Sequence, residues 1–279
     1  MTTTSRVRIS YDKDQRPHYC ILKNVEKKDN ESEADFEYRE RKQELFIQDL
    51  LRFGITSVMV NEYSEITEIL KQLETQIKSK SIFISGAAND YNPYEKNQSE
   101  KFVYELSKEL INLNLKIVSG FGLGIGSSVI SGALESIYMN GRKLDDDQLL
   151  LRPFPQSQVG EQDLETLWRK YREDMISYAG IAIFLFGNKI VNGEVVLSNG
   201  MKEEYEIALD NNILIIPVGS TGYMAKELWL DLIERVDTDK YIIPENIRGE
   251  ILELGKSDKS LDSIKELILE IILKLNRIP

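Results

Sequence analysis

The sequence predicts an α/β protein: a doubly wound parallel sheet preceded by a partial N-terminal α/β segment. Three observations carry that prediction. The runs GIAIFLFG (180–187) and ILIIPVG (213–219) are apolar throughout instead of alternating, the pattern of strands buried on both faces. Such runs alternate with segments of helical period, the order that lays parallel strands under crossover helices. Glycines stand where the strand-like runs end, at Gly86, Gly120 and Gly187, in the places where such sheets turn from strand to loop.

Residues 1–16 are polar and carry no period. HYCILK (18–23) reads as a short buried strand. EADFEYRERKQELFIQDLLRFG (33–54) reads as a helix, with Phe36, Phe46, Leu50 and Leu51 as its apolar positions and Gly54 closing it. ITSVMV (55–60) is a β-branched strand, and SEITEILKQLETQI (64–77) a helix capped by Ser64. Strand–helix–strand–helix within residues 1–80 is too little for a complete domain.

From 81 to 279 a second series forms a domain of its own. SIFISG (81–86) is a strand, followed by a polar loop with Asp90, Asn92 and Pro93 and the helix SEKFVYELSKELINLN (99–114). LKIVSG (115–120), a glycine run and the helix SSVISGALESIYMNG (127–141) come next. DQLLLRPFP (147–155) is a strand stopped by its prolines. The helix over 161–179 leads into the strand 180–187, and the helix 200–211 into the strand 213–219. A helix over 225–236 follows, and the tail SLDSIKELILEIILKLNRI is an amphipathic helix that either caps this domain or joins two copies.

Composition excludes several classes. A net charge of −11 argues against a nucleic-acid surface or an anionic membrane patch. The start MTTTSRVRIS has no apolar signal core, and no apolar run reaches the length of a membrane span. One cysteine, Cys20, rules out an internal disulfide and fits a reducing cytoplasm. With one histidine besides, His18, a zinc site or a Cys–His pair is not expected, and His18 itself reads as structural.

Ligands of doubly wound sheets sit outside the carboxyl ends of the strands, where strand order reverses. Four features of the sequence lie at such ends: Gly86 to Asp90, the glycine run, Gly187 to Lys189, and the SNGMKEEYE stretch that opens a helix. In IVSGFGLGIGSS (117–128), Gly120, Gly122, Gly124 and Gly126 occupy every second position ahead of a helix, which either brings amides up to a phosphate or makes a tightly packed turn. The run matches neither the G-x-G-x-x-G nor the P-loop spacing. In WRKYREDM (168–175), Arg169 and Arg172 share a helix face, either toward a ligand or as a solvated basic turn with Glu173 and Asp174. Lys189 follows a buried strand, and in SNGMKEEYE (198–206) Glu203 and Glu204 enter a helix's first turn.

Together, SIFISGAA, IVSGFGLGIGSSVISGALE, RKYREDMISYAGIAIFLFGNK, LSNGMKEEYEIAL and IIPVGSTGYMAKELW resemble the SLOG nucleotide-sensing domain in its STALD form, as it occurs in Thoeris antiphage effectors. The resemblance covers about 80 to 236. Residues 18–80 are similar to the closing strands and helices of the sirtuin-like NAD-hydrolase domain that precedes SLOG in that family. It implies a Rossmann-like sheet, no cofactor, and a cyclic ADP-ribose isomer made by a TIR-domain protein as the ligand. It further implies a homodimer or homotetramer whose reorganisation switches on NAD cleavage. Carried over by position, Arg172 and Lys189 hold the phosphates and Glu204 bonds the sugar or base. Ser85, Gly86 and the four glycines of the run shape the bed, with Asn199 and Gly200 at the mouth of the helix bearing Glu204. The asparagine and histidine of the sirtuin-like catalytic unit lie upstream of anything here, so this chain is expected to bind and not to cleave. The rival is the related LOG phosphoribohydrolases, which cleave nucleoside monophosphates with an arginine and a glutamate. Here NGMKEE keeps the glycine-to-glutamate spacing of their PGGxGTxxE loop but lacks the doubled glycine and the threonine, and Tyr171 stands where their catalytic arginine falls.

Overall fold

The computed structural model describes residues 18–141, 144, 148–154 and 163–276. The chain divides into two compact units between Glu74 and Thr75. The first contains β1 (His18–Lys23), α1 (Glu33–Arg52) and β2 (Ile55–Val60), and the division falls within α2 (Glu65–Lys78). β1 and β2 pair in parallel with His18 opposite Ile55. Ser32 starts α1 by accepting the Asp35 amide on its side-chain oxygen at 3.2 Å. Gln43 then ties that helix to the exit of β1, donating to the Lys23 carbonyl at 2.6 Å and accepting the Val25 amide at 3.2 Å.

The second unit is the doubly wound parallel sheet the sequence predicts. Its strands are β3 (Ser81–Ala87), β4 (Lys116–Ser119), β5 (Leu149–Leu151), β6 (Ile181–Phe186) and β9 (Leu214–Pro217), in the spatial order β5-β4-β3-β6-β9 and all parallel. Numbered within the sheet this is 3-2-1-4-5, so the order reverses between β3 and β6. α3 (Lys96–Asn112) and α4 (Gly126–Met139) carry the first half of the winding and pack on each other. α5 (Leu164–Ser177) and α6 (Asn199–Asp210) carry the second half and do the same. The apolar strand residues are sealed between these layers: Ile82, Phe83, Ile117, Val118, Ile183, Phe184 and Ile216 are all within 1% of full burial. Phe184 meets Phe83 and Tyr205 edge-to-face at 6.4 and 5.8 Å.

Three elements differ from the sequence reading. The strand expected over 147–155 pairs at three residues only, and its side of the ladder ends where the Arg152 amide reaches the Ser119 carbonyl at 3.0 Å. Pro153 next to it has no amide to continue. Residues 155–162, and with them the expected start of the following helix, lie outside the described residues. Lys189 is not in a loop. It sits on β7 (Asn188–Val191), which pairs antiparallel with β8 (Glu194–Leu197) around an Asn192–Gly193 turn, both residues at positive φ. Beyond α7 (Tyr223–Asp237) the unread segment folds as α8 (Glu245–Glu253), burying Ile247 and Ile251. The tail helix α9 (Leu261–Asn276) packs on α8 and α3, with Ile264, Ile268, Ile271 and Ile272 buried. Of the two roles open to it, it fills that of a cap.

The glycine run is locked against the end of β3. A Cβ on Gly122 would stand 1.9 Å from the Gly86 carbonyl oxygen. One on Gly124, whose φ is +85°, would stand 1.9 Å from that of Ala88. No rotamer relieves a clash with backbone. Gly122→Ala or Gly124→Ala should therefore cost at least about 2 kcal/mol, read as a melting temperature lower by about 4–8 °C. Gly249→Ala, exposed in the middle of α8 with open space around it, should raise stability by about 0.5–1 kcal/mol.

Candidate ligand site at the strand-order reversal

The reversal places the carboxyl ends of β3 and β6 side by side, with Ser85 opposite Phe184 and Gly86 opposite Leu185. α5 and α6 bring their charged residues to the same edge. Arg172 of α5 is only 9% exposed and Glu204 of α6 only 8%, unusual burial for either charge. Arg172 donates from Nη1 to Glu203 Oε2 at 2.6 Å, and its Nε lies 3.5 Å from Glu204 Oε1. Ser85 donates its hydroxyl to the other oxygen of Glu204 at 2.5 Å. The Phe154 ring covers the guanidinium at 5.0 Å. On another side Arg172 touches the first turn of α6, where a Cβ on Gly200 would stand 2.6 Å from Nη2. Gly200 is thus what allows the guanidinium to reach that helix end.

Two features make this cluster more than a neutralised ion pair. The Nε of Arg172 is buried without a hydrogen-bond partner, an expense proteins seldom leave unmet. Burial also pushes the Glu204 carboxyl above its ordinary value of 4.5, against the opposing pulls of the Ser85 hydroxyl and the Arg172 charge.

The residues singled out from the sequence are distributed unevenly around this cluster. Ser85, Glu204, Arg172 and Gly200 form one chain of contacts, each touching the next. Gly120 lies against Phe154 and Met175, behind the ring that covers Arg172, while Gly86 packs on Ile125 and the Leu185 carbonyl. Gly126 is buried as the first residue of α4. Gly122 and Gly124 are explained by their approach to β3, so close packing accounts for both. Even so, the amides of Gly122, Leu123 and Gly124 meet no acceptor among the described residues, and an anion would find them free. Asn199 is exposed at the first position of α6. Lys189 is half-buried on β7, opposite Val196 in the hairpin, and its ammonium makes no hydrogen bond or ion pair among the described residues. Arg169 stands at the rim, 55% exposed, bonded to Glu173 at 3.0 Å and 3.8 Å from Glu203.

Sequence reasoning missed Phe154 and Asn188 as members of this edge, and it placed Glu203 there only as a first-turn carboxylate with no part in the site. Asn188 is fully buried and staples the loop after β3: its Oδ1 accepts the amides of Asn89 and Asp90 at 3.0 and 2.9 Å, and its Nδ2 donates to the Asp90 carbonyl at 2.7 Å. A polar amide directly after an apolar strand was the available signal. Nothing local marks Phe154.

A doubly wound sheet with a polar, partly unsatisfied cluster at its reversal point defines a Rossmann-like α/β protein whose ligand edge is built and charged. More narrowly, the chain belongs to the Sir2- and TIR-associating SLOG family, STALD, whose model matches residues 65–275. It is 50% identical over 268 residues to a protein of Bacillus cereus (strain MSX-D12) named NAD(+) hydrolase ThsA, covering 96% of this chain and 55% of that one. Proteins of the same name from Cytobacillus dafuensis and Acinetobacter baumannii (strain 532279) are 38% identical over 279 residues and 37% over 239. The matches cover 97% and 84% of this chain, and 56% and 50% of those proteins. The chain thus spans about half the length of the relatives it matches. Among the described residues no helix is long and apolar enough to cross a membrane.

The Glu204 shift fixes the sign of a pH effect. Below 4.5 the carboxyl is protonated whether the chain is folded or not. As pH rises past that value the unfolded chain ionises first, so the folded state loses stability until its own raised value is passed. Glu204→Gln cannot titrate and should gain on the native protein in urea midpoint as pH goes from about 4.5 to 8. A native protein that gains on the variant over that range would mean Arg172 and Ser85 outweigh burial.

Proposed function

We propose that this chain is the signal-sensing part of a longer antiphage effector. In this reading it takes a cyclic ADP-ribose isomer made by a TIR-domain protein. Binding reorganises a cytoplasmic homodimer or homotetramer and turns on NAD+ cleavage by a sirtuin-like domain. The observation that carries the reading is the buried Arg172, with an unspent N–H, at the strand-order reversal; Lys189 stands on the hairpin that leaves β6, two residues past Gly187. Two cations and free loop amides suit a pyrophosphate in a chain whose overall charge repels one. Glu204, buried and able to accept or donate, suits a ribose hydroxyl or a base edge. The family description and the hydrolase name of the relatives support the wider assignment. The related glycosidase reading suffers at Tyr171. This residue is 38% exposed and one position, about 100°, round α5 from Arg172, so its side chain does not take the place of a second cation beside Glu204.

Thermal unfolding with cyclic ADP-ribose isomers, ADP-ribose, NAD and AMP tests the reading. A cyclic isomer at about 100 times its dissociation constant should stabilise by about 2.7 kcal/mol, a shift of several degrees. Arg172→Ala should lose binding worth about 1.5–3 kcal/mol. It also strips the counterion from a buried carboxyl, so Lys189→Ala, which breaks no internal bond, is the cleaner variant and should likewise weaken the shift. Adenine released from AMP would overturn sensing in favour of hydrolysis.

A further inference from the structure

Glu203 takes no part in the ligand contacts proposed above, yet it makes the shortest bond of Arg172, at 2.6 Å. The inner carboxylate, Glu204, lies 3.5 Å from Nε in a geometry that leaves that N–H unsatisfied. One well-placed carboxylate would have neutralised Arg172. Instead the guanidinium has a poorly aligned inner partner and a well-aligned outer one. The outer partner is also the movable one: the Glu203 side chain is 28% exposed, against 11% for both Arg172 and Glu204. A second cation is in place for it. Arg169 Nη1 stands 3.8 Å from the Glu203 oxygen that Arg172 does not hold, on a side chain 55% exposed.

We propose that Glu203 is the internal counter-anion of the ligand site, occupying Arg172 until an incoming phosphate takes its place and then transferring to Arg169. The inference rests on Arg172 being the phosphate-holding residue. It separates the two arginines of α5 by role: Arg172 binds the ligand, and Arg169 is a positioning residue that acts through Glu203. A ligand then has to displace a charge-assisted bond and cannot simply fill an empty cradle, so Glu203 sets the concentration at which the site responds. It also screens against weak monoanions, which gain too little from Arg172 to evict a carboxylate already held there.

Calorimetric titration of the chain with cyclic ADP-ribose isomers as probes tests this through a double-mutant cycle. Glu203→Gln keeps the shape and removes the charge, and its dissociation constant should fall about three- to tenfold below that of the native protein. Glu203→Asp, which keeps the charge but withdraws it by one methylene, should move the same way by a smaller factor and serves if the glutamine variant does not fold. Arg169→Ala should weaken binding about threefold in the native background and leave Glu203→Gln unchanged. Equal or weaker binding by both folded Glu203 variants would overturn the counter-anion role while leaving the sensor reading intact. Weakening by Arg169→Ala to the same extent in both backgrounds would make Arg169 a ligand contact and overturn the transfer. If no isomer binds either the native protein or Glu203→Gln, the phosphate role of Arg172 fails and this inference fails with it.

Discussion

The turn after β4 lies so close to the end of β3 that backbone touches backbone, and the candidate site hangs from that approach. Between Gly122 and Gly86, and between Gly124 and Ala88, there is no room for a single methyl group. The contact is bonded as well as close: the Ala88 amide donates to the Leu123 carbonyl at 2.9 Å and the Tyr91 hydroxyl to the Gly124 carbonyl at 3.0 Å. Two neighbouring strand ends are thereby held as one rigid piece. Ser85, three residues before Ala88, inherits its position from that piece, and Ser85 aims Glu204. Tyr91 stacks edge-on to Phe186 at 5.6 Å, which carries the same constraint across the strand-order reversal to β6.

Most of the fold was legible because it follows from rules that act on short stretches of chain. Uninterrupted apolar runs such as GIAIFLFG have only one comfortable place, the middle of a covered sheet, and β6 lies there. What was missed fell into two kinds. The β7–β8 hairpin has a local signal, an Asn–Gly pair between β-branched residues, but its strands are only four residues each and stand between a long apolar run and a helix. Phe154 and the pairing of Glu203 with Arg172 had none, since they depend on where α5 and the segment after β5 settle in three dimensions. The glycine run was legible as a special backbone, but its chemistry was not: glycines also serve close packing, and only the fold shows that Gly122 and Gly124 have that reason to exist.

Charge at this edge is arranged against the grain of the whole molecule. A chain of net charge −11 spends two of its carboxylates on one buried guanidinium, and burial, with a smaller addition from the Glu203 charge, holds the Glu204 carboxyl above its ordinary value. Such a cluster is a poor way to gain stability, because desolvation consumes most of what the ion pairs return. Its worth has to lie in what Arg172 can do when one of the two partners is replaced.

The β7–β8 hairpin has its own geometry. At its base the Ser198 amide donates to the Gly187 carbonyl at 3.0 Å, so the chain leaves β6 and re-enters at α6 through adjacent residues. Everything between is a detour closed upon itself, carrying Ile190, Val191, Val195 and Leu197 on largely exposed positions and Lys189 near its root. A lineage could lengthen, shorten or lose the part of that detour beyond Asn188 without moving the sheet, since closure across it is already made and the Asn188 staple stays. One of the two cations at this edge is therefore an accessory of a removable part, while the other is embedded in the core. Descendants of this fold are free to retune the first far faster than the second.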